Sequence, residues 1–129
     1  MKKRVFEVPV KLVVKLTEDD VDSIMVSALE GGINYWCSEA EVVEERRCAD
    51  WGHEQIARGG ALILHDAESD DKWELSIGNF TKGFRLWLGN GDDRDGAVSG
   101  DGTVDTGEID GEMADLIIQY ALFGEVVFG

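Results

Sequence analysis

Long hydrophobic runs, proline and cysteine are all scarce in this 129-residue chain. No apolar run approaches the roughly 18 residues that a membrane-spanning helix needs. The basic start at residues 2–4 is followed by charged residues and by Pro9, the single proline, instead of the apolar core of a signal peptide. We therefore expect a soluble protein that stays in the cytoplasm in which it is made.

Only two cysteines are present, Cys37 and Cys48, too few for the disulfide framework of a small secreted domain. With His53 and His65 they are the only nitrogen and sulfur side chains suited to zinc. Their spacing contains no CxxC or HxxxH pair that would anchor such a site. The sequence therefore favours a reducing compartment and predicts no metal centre and no cofactor.

Basic residues are also few, and most of the chain is strongly acidic. The 12 lysines and arginines stand against 27 acidic residues, for a net charge of -15. The first 16 residues carry a net charge of +4, so the remaining 113 residues carry -19. Such a surface repels phosphate backbones and anionic lipid headgroups. We therefore expect neither nucleic acid nor a membrane as a direct partner, but a protein with a basic surface.

Residues 5–16 alternate apolar and polar side chains, a pattern that predicts a β-strand with one buried face. Pro9 favours an edge position for this strand, and an edge carrying Val8 and Val10 is able to pair with another chain. Thr17, followed by three acids, predicts the start of a helix that Gly31-Gly32 ends.

The rest of the chain predicts short strands, helices and one loop rich in glycine and aspartate. The predicted segments are a strand from Tyr35 to Val43, a short helix at 50–58, strands at 61–65 and 72–77, a helix capped by Asn79, the loop at 89–110, a helix from Gly111 to Phe123, and a short final strand at 125–128. Together they predict one α+β domain over residues 1–129, with a small antiparallel sheet packed against three to four helices.

Two stretches carry a family resemblance, ALEGGINYW at residues 28–36 and QYALFGE at 119–125. They resemble small accessory proteins that bacteriophages, prophages and related mobile elements of gut bacteria encode. The resemblance extends from about residue 17 to the C-terminus and is weakest in the acidic loop. It implies a small protein made in the cytoplasm of a host bacterium, and it assigns no catalytic or binding residue.

The sequence contains no catalytic motif. It has no nucleophile elbow and no phosphate-binding glycine loop, and its many carboxylates single out no acid–base pair. The loop at 89–110 invites a calcium interpretation, but its acids do not fit the spacing of an EF-hand, and a solvated acidic loop is favoured. An enzyme that uses Cys37 or Cys48 remains a minor alternative.

The leading hypothesis is a non-enzymatic phage protein that binds, and inhibits or modulates, a host protein with a basic nucleic-acid-binding surface, such as a defence effector. A small-molecule or metal-ion-binding protein is the alternative, with its site beside the turn at 31–36 or in the loop. Tyr35 and Trp36 are candidate apolar anchors, although core packing is favoured for both. The candidate acidic contacts are Asp92, Asp93, Asp95, Asp101, Asp105, Glu108 and Asp110.

Overall fold

The computed structural model describes residues 3–129, in which the helix predicted after Thr17 is present as α1, Glu18–Ser27. The Thr17 hydroxyl accepts a hydrogen bond from the Asp20 amide at 3.0 Å, and the Asp20 carboxylate accepts one from the Thr17 amide at 3.0 Å. This reciprocal capping box fixes the first turn of α1. The helix continues into a π-helical turn, Ala28–Gly32, so the predicted stop at Gly31-Gly32 is confirmed.

Three strands form an antiparallel sheet in the order β1-β2-β3: β1 is Cys37–Val42, β2 is Leu62–Asp66 and β3 is Lys72–Leu75. Leu64 lies opposite Ala40 on one side and opposite Trp73 on the other. The inward side chains of β2 are fully buried, whereas β1 presents glutamates outward. The predicted small antiparallel sheet is therefore confirmed.

The connection between β1 and β2 differs from the single short helix predicted at 50–58. It contains three 3-10 turns, Glu44–Arg46, Gly52–Glu54 and Ile56–Arg58. The reason is the fully buried side chain of Gln55. Its amide nitrogen donates to the Ala49 carbonyl at 2.8 Å and the Trp51 carbonyl at 2.9 Å, so a side chain satisfies carbonyls that a regular helix would leave to its own backbone.

The two long helices, α2 (Ile77–Gly89) and α3 (Gly111–Phe123), pack closely against each other. Gly83 of α2 makes this approach possible, because a Cβ atom there would lie 2.5 Å from the Ala121 amide nitrogen. The predicted bounds of α3 are confirmed, and Gly124 ends it in a left-handed conformation with φ of 72°. Buried side chains from all three helices and all three strands form a single core.

Asn79 acts within α2 and not as its cap. Ser76 is the N-cap residue, and the Asn79 side chain accepts a hydrogen bond from the Ser76 amide at 2.7 Å. Asn79 therefore supplies the reciprocal half of a capping box that begins three residues earlier than the sequence predicted. Phe80, Phe84 and Trp87 are buried on one face of α2.

The strand predicted at 5–16 is wrong, because the structure shows no regular secondary structure there. Its apolar residues up to Val13 are exposed, and we call residues 3–13 the N-terminal arm. Only the end of the predicted strand meets the domain: the Lys15 amide donates to the Gly102 carbonyl at 2.8 Å, and Val14 and Leu16 pack against the core. Alternation alone does not make a strand, since a strand also needs backbone hydrogen bonds to a neighbouring strand.

The final strand predicted at 125–128 is also absent. The side-chain oxygen of Gln119 accepts hydrogen bonds from the amides of Val127 and Phe128, each at 2.8 Å. These amides would otherwise be available to a neighbouring strand, so a side chain of α3 holds the segment in an irregular conformation.

The loop between α2 and α3 is folded onto the domain. Val98 and Val104 form an isolated antiparallel bridge, and the Asp105 amide donates to the Ala97 carbonyl at 2.8 Å. Ala97 and Ile109 are buried in the core. Across residues 3–129, no helix has the length and apolar character needed to cross a membrane.

Candidate functional site

Asp115 of α3 is a buried carboxylate that the sequence analysis did not single out. It is 5% exposed, and the Tyr35 hydroxyl donates to its Oδ2 at 2.6 Å. Its Oδ1 accepts from Trp36 Nε1 at 2.7 Å and from Gln119 Nε2 at 2.9 Å. Among residues 3–129 no basic side chain pairs with Asp115, so neutral donors alone satisfy it.

Gln119 carries this network to the C-terminal segment. One turn after Asp115 and fully buried, it binds the Asp115 carboxylate with its amide nitrogen and two backbone amides with its oxygen. The ring of Phe128 thereby stacks on Trp36 with centroids 5.0 Å apart and an interplanar angle of 6°. The network thus joins the turn after α1, helix α3 and the end of the chain.

The two stretches that carry the family resemblance meet at this network. Tyr35 and Trp36 come from the first stretch, and Gln119 from the second. Asp115, which lies outside both stretches, bridges them. The sequence separation of about 80 residues explains why no local pattern indicated this contact.

The pKa of Tyr35 shows how strongly the network prefers a neutral phenol. Burial raises the pKa of Tyr35 to about 12, with the hydrogen bond to Asp115 and the negative charge of that carboxylate as further causes. The phenol therefore stays protonated at neutral pH and donates to Asp115. Both carboxylate oxygens accept short hydrogen bonds, so the cluster ties the turn after α1 to helix α3.

A recess of about 450 Å³ lies beside the network. Its walls come from the turn after α1, from α3 and from the C-terminal segment, and they include Tyr35, Asp115 and Leu116. The small-molecule or metal-ion alternative placed its site either here, beside the turn at 31–36, or in the loop at 89–110. The recess is open to solvent, and Tyr35 in its wall is 55% exposed.

Two of the predicted acidic contacts, Asp92 and Asp93, shape the loop. Asp92 accepts the Tyr120 hydroxyl at 2.7 Å, a contact that raises the pKa of Tyr120. Asp93 accepts the amides of Ala97 and Val98 at 2.8 and 3.0 Å. Both aspartates are half-buried and support the loop internally, while their contact with a partner stays a prediction.

The other five predicted acids are exposed, and we call them the loop carboxylates: Asp95, Asp101, Asp105, Glu108 and Asp110. Within residues 3–129 none of them forms an ion pair, because the basic residue of the loop, Arg94, pairs with Glu112 of α3 at 3.3 Å. The loop carboxylates therefore leave their negative charge open to solvent.

Three loop carboxylates also hold their own backbone in place. Asp101 accepts the Thr103 amide and hydroxyl, and these hydrogen bonds lower the pKa of Asp101. Asp105 caps the short turn that follows it, and Asp110 caps α3 by accepting the Met113 amide at 2.9 Å. Their carboxylates thus occupy defined positions on the surface.

The aromatic anchors divide into one available residue and one buried residue. Trp36 is 2% exposed, which removes it from the predicted partner contacts and confirms its core packing. Tyr35 remains accessible. The sequence analysis missed Trp51, which is 66% exposed in the connection between β1 and β2. Its position in a polar stretch without apolar periodicity was the available signal.

The cysteines and histidines do not come together as a metal site. Cys37 is buried, its thiol donates to the Glu39 carbonyl, and burial raises its pKa. Cys48 is exposed, and His65 lies 3.0 Å from Glu41. In the part of the chain that the structure describes, no group of three or more histidine, cysteine or acidic side chains is arranged to hold a metal ion.

Comparison with known proteins adds no relative to this picture, since no family model, no curated protein and no solved structure matches the chain.

Proposed function

We propose that this protein is a non-enzymatic accessory protein of a phage or mobile element that binds a host protein through that protein's basic, nucleic-acid-binding surface. The observation that carries the proposal is the set of five exposed loop carboxylates, which have no ion pair within residues 3–129. The family resemblance supplies the setting, a host bacterial cytoplasm, and inhibition or modulation of a defence effector is the corresponding role.

The fixed backbone of the loop supports binding by these carboxylates. A partner that binds a loop already held by hydrogen bonds does not have to order it, so less binding free energy is lost to entropy. The bridge between Val98 and Val104 and the caps made by Asp105 and Asp110 supply this order. Carboxylates on a rigid loop resemble a short row of phosphates in charge and in acceptor chemistry.

Long-range charge supports the same proposal. Residues 17–129 carry a net charge of -19, which accelerates the encounter with a basic surface and opposes the encounter with nucleic acid. A partner that normally binds phosphates would therefore be held by the same electrostatics, and the complex would weaken as salt screens the charges.

The test is an affinity capture from bacterial lysate with the whole protein as bait, eluted by a rising salt gradient. The decisive variant neutralises the loop carboxylates together as D95N, D101N, D105N, E108Q and D110N. Asparagine keeps the cap at position 110, because it accepts the same amide hydrogen bond as aspartate. We expect a discrete basic protein to elute from the wild-type bait and to be lost, or to elute at much lower salt, with the variant.

A matched control removes five negative charges elsewhere, as D19N, E30Q, E68Q, D70N and E125Q. These side chains are exposed and make no hydrogen bond or ion pair within residues 3–129. The control is expected to retain the captured protein at nearly the wild-type salt concentration. Equal loss in both variants would reduce the interaction to bulk charge, and unchanged capture by the loop variant would contradict the proposal.

A second candidate function, binding of a small molecule, rests on the 450 Å³ recess beside Tyr35 and Asp115. A ligand that binds the folded state raises the melting temperature in proportion to the logarithm of its concentration. Thermal unfolding with nucleotides, calcium and zinc tests this candidate. This candidate would be favoured over protein capture by a melting temperature that rises with ligand concentration, if substitution of Leu116 by a larger residue abolishes the rise.

A further inference from the structure

The N-terminal arm exposes more apolar surface than any other segment of the described chain. Its exposed large apolar side chains are Val5, Phe6, Val8, Val10, Leu12 and Val13, the first four between 77% and 84% exposed. Small soluble domains seldom leave so many neighbouring apolar side chains in water unless another surface covers them. The arm is therefore built to be covered.

The arm also has the sequence of a strand without having the partner of one. Residues 3–13 make no backbone hydrogen bond to the rest of the described chain, and the first such bond is made by Lys15. In a strand, the side chains of every second residue lie on the same face, and the backbone amides of those residues point to the same neighbouring strand. Phe6, Val8, Val10 and Leu12 would then share one apolar face and bond to a neighbouring edge, while Pro9, which has no amide hydrogen, would face the open side.

A receiving edge exists on the sheet. β1 pairs with β2 on one side, and within residues 3–129 no strand pairs with its other side. A groove of about 280 Å³ runs beside the start of β1, and its apolar lining is Leu29, Ile33, Cys37 and Ala40. Glu39 and Glu41 of β1 are exposed next to it.

Charge complementarity indicates which chain supplies the occupant. The arm has a net charge of +2 from Lys3, Arg4, Lys11 and Glu7, whereas residues 17–129 carry -19. The base of the arm is held at Lys15, Val14 and Leu16, so the arm leaves its own domain at a fixed point. Eleven extended residues reach about 35 Å from there, enough to lie along the sheet of a neighbour.

From these observations we infer that the N-terminal arm of one copy pairs with the β1 edge of a second copy, and that the exchange is reciprocal. The apolar face of the arm covers the groove beside β1, and Lys11 lies against the glutamates of that strand. A twofold arrangement uses both arms and both edges and leaves neither surface open, so assembly stops at the dimer. This inference is independent of the proposed function.

The first test is the mass of the intact protein in solution, by size-exclusion chromatography with light scattering at low salt. We expect twice the chain mass of 14.2 kDa. The variant V8S/V10S changes the apolar face of the arm and is expected to weaken the dimer by at least tenfold. The matched control V5S/V13S makes the same change on the opposite face and is expected to leave the dimer intact. Both pairs are exposed, so neither variant threatens the fold.

The second test asks whether the arm meets β1. The single variants K11E and E39K each place like charges together and are expected to weaken the dimer, whereas the double variant K11E/E39K restores an opposite pair and is expected to recover it. Glu39 is exposed, and within residues 3–129 its carboxylate makes no hydrogen bond or ion pair, so the charge reversal breaks no such contact of the sheet.

A monomer at all concentrations up to about 100 μM would overturn the inference, because a weaker dimer would be negligible at cellular concentrations. A dimer that V8S/V10S leaves unchanged, or a double variant without recovery, would equally overturn it. If the protein is a monomer and the V8S/V10S variant loses capture of a host protein, the arm would be assigned to that foreign partner instead of to a second copy.

Discussion

Asp115 and the loop carboxylates are the same kind of group in two different environments. Asp115 is 5% exposed and accepts hydrogen bonds from Tyr35, Trp36 and Gln119, whereas Asp95 is exposed and without a hydrogen-bond partner in residues 3–129. Burial without a matching charge is tolerated only because three donors replace water. The difference teaches that net charge is a poor guide to what an individual carboxylate does.

The comparison divides the acids into two groups with separate consequences. Substitution of a buried carboxylate is expected to change the stability of the fold, and substitution of a solvent-exposed one to change binding. Some loop residues, such as Asp110, belong partly to each group because they cap a helix while facing solvent. The predictions below test this division from the largest expected effect to the smallest.

Asp115→Ala is expected to lower the free energy of unfolding by about 3 kcal/mol, because it leaves the indole N–H of Trp36 buried without an acceptor and removes one of the acceptors of Gln119 Nε2. Asp95→Ala, the matched control, is expected to change it by less than about 0.5 kcal/mol. Chemical denaturation monitored by tryptophan fluorescence measures both. Equal effects of the two substitutions would refute the division.

Ionisation of Tyr35 is expected at about pH 12, two decades in proton concentration above an ordinary tyrosine near pH 10. Because the pKa is raised in the folded state, the stability that the neutral phenol contributes is fully present below pH 10 and is lost as the pH rises towards 12. The phenolate absorbance of a Tyr120→Phe variant reports Tyr35 alone, since the chain has two tyrosines. A midpoint near pH 10 in the folded protein would contradict the Asp115 contact.

Gln119→Ala is expected to lower the free energy of unfolding by about 2 kcal/mol. This is less than the effect of Asp115→Ala, because water can reach the exposed backbone of Val127 once the Gln119 side chain is removed. Hydrogen exchange should show faster exchange of the amides of Val127 and Phe128, while the amides in the middle of α2 stay protected. Unchanged protection of the C-terminal amides would mean that the stacking of Phe128 on Trp36, and not Gln119, holds the segment.

Asp110→Ala is expected to lower stability by about 1 kcal/mol through loss of the α3 cap, whereas Asp110→Asn is expected to have almost no effect. Thermal unfolding of the two variants measures the difference. If Asn were as damaging as Ala, the charge of Asp110 would matter to the fold, and the loop carboxylates could not be neutralised without a structural effect.

The sequence predicted the elements whose signals are local. Helix α3 was found with its bounds because its apolar periodicity and Gly124 lie within it or next to it. Thr17 and the Gly31-Gly32 stop are signals of the same kind. The two strands at 5–16 and 125–128 failed for reasons that lie outside each segment. Within residues 3–129 no neighbouring strand pairs with the first, and the side chain of Gln119 binds the backbone amides of the second.

The buried network could have been suspected but not located. Asp115 and Gln119 are polar residues four positions apart in a largely apolar helix, which places them on one face. Their partners, Tyr35 and Trp36, are about 80 residues away, and only the fold brings them together. Likewise, sequence alone could not separate the half-buried Asp92 and Asp93 from the exposed acids beside them, because all of them occupy the same glycine-rich loop.

The most direct test of the central claim is whether the captured basic protein can bind this protein and nucleic acid at the same time. Fluorescently labelled nucleic acid bound to the purified partner is titrated with the whole protein, and anisotropy reports its release. Our account predicts full displacement by the wild-type protein and by the matched control that removes five negative charges outside the loop. It predicts at least tenfold weaker displacement by the variant with neutralised loop carboxylates. Formation of a ternary complex, with the anisotropy maintained or increased, would contradict it.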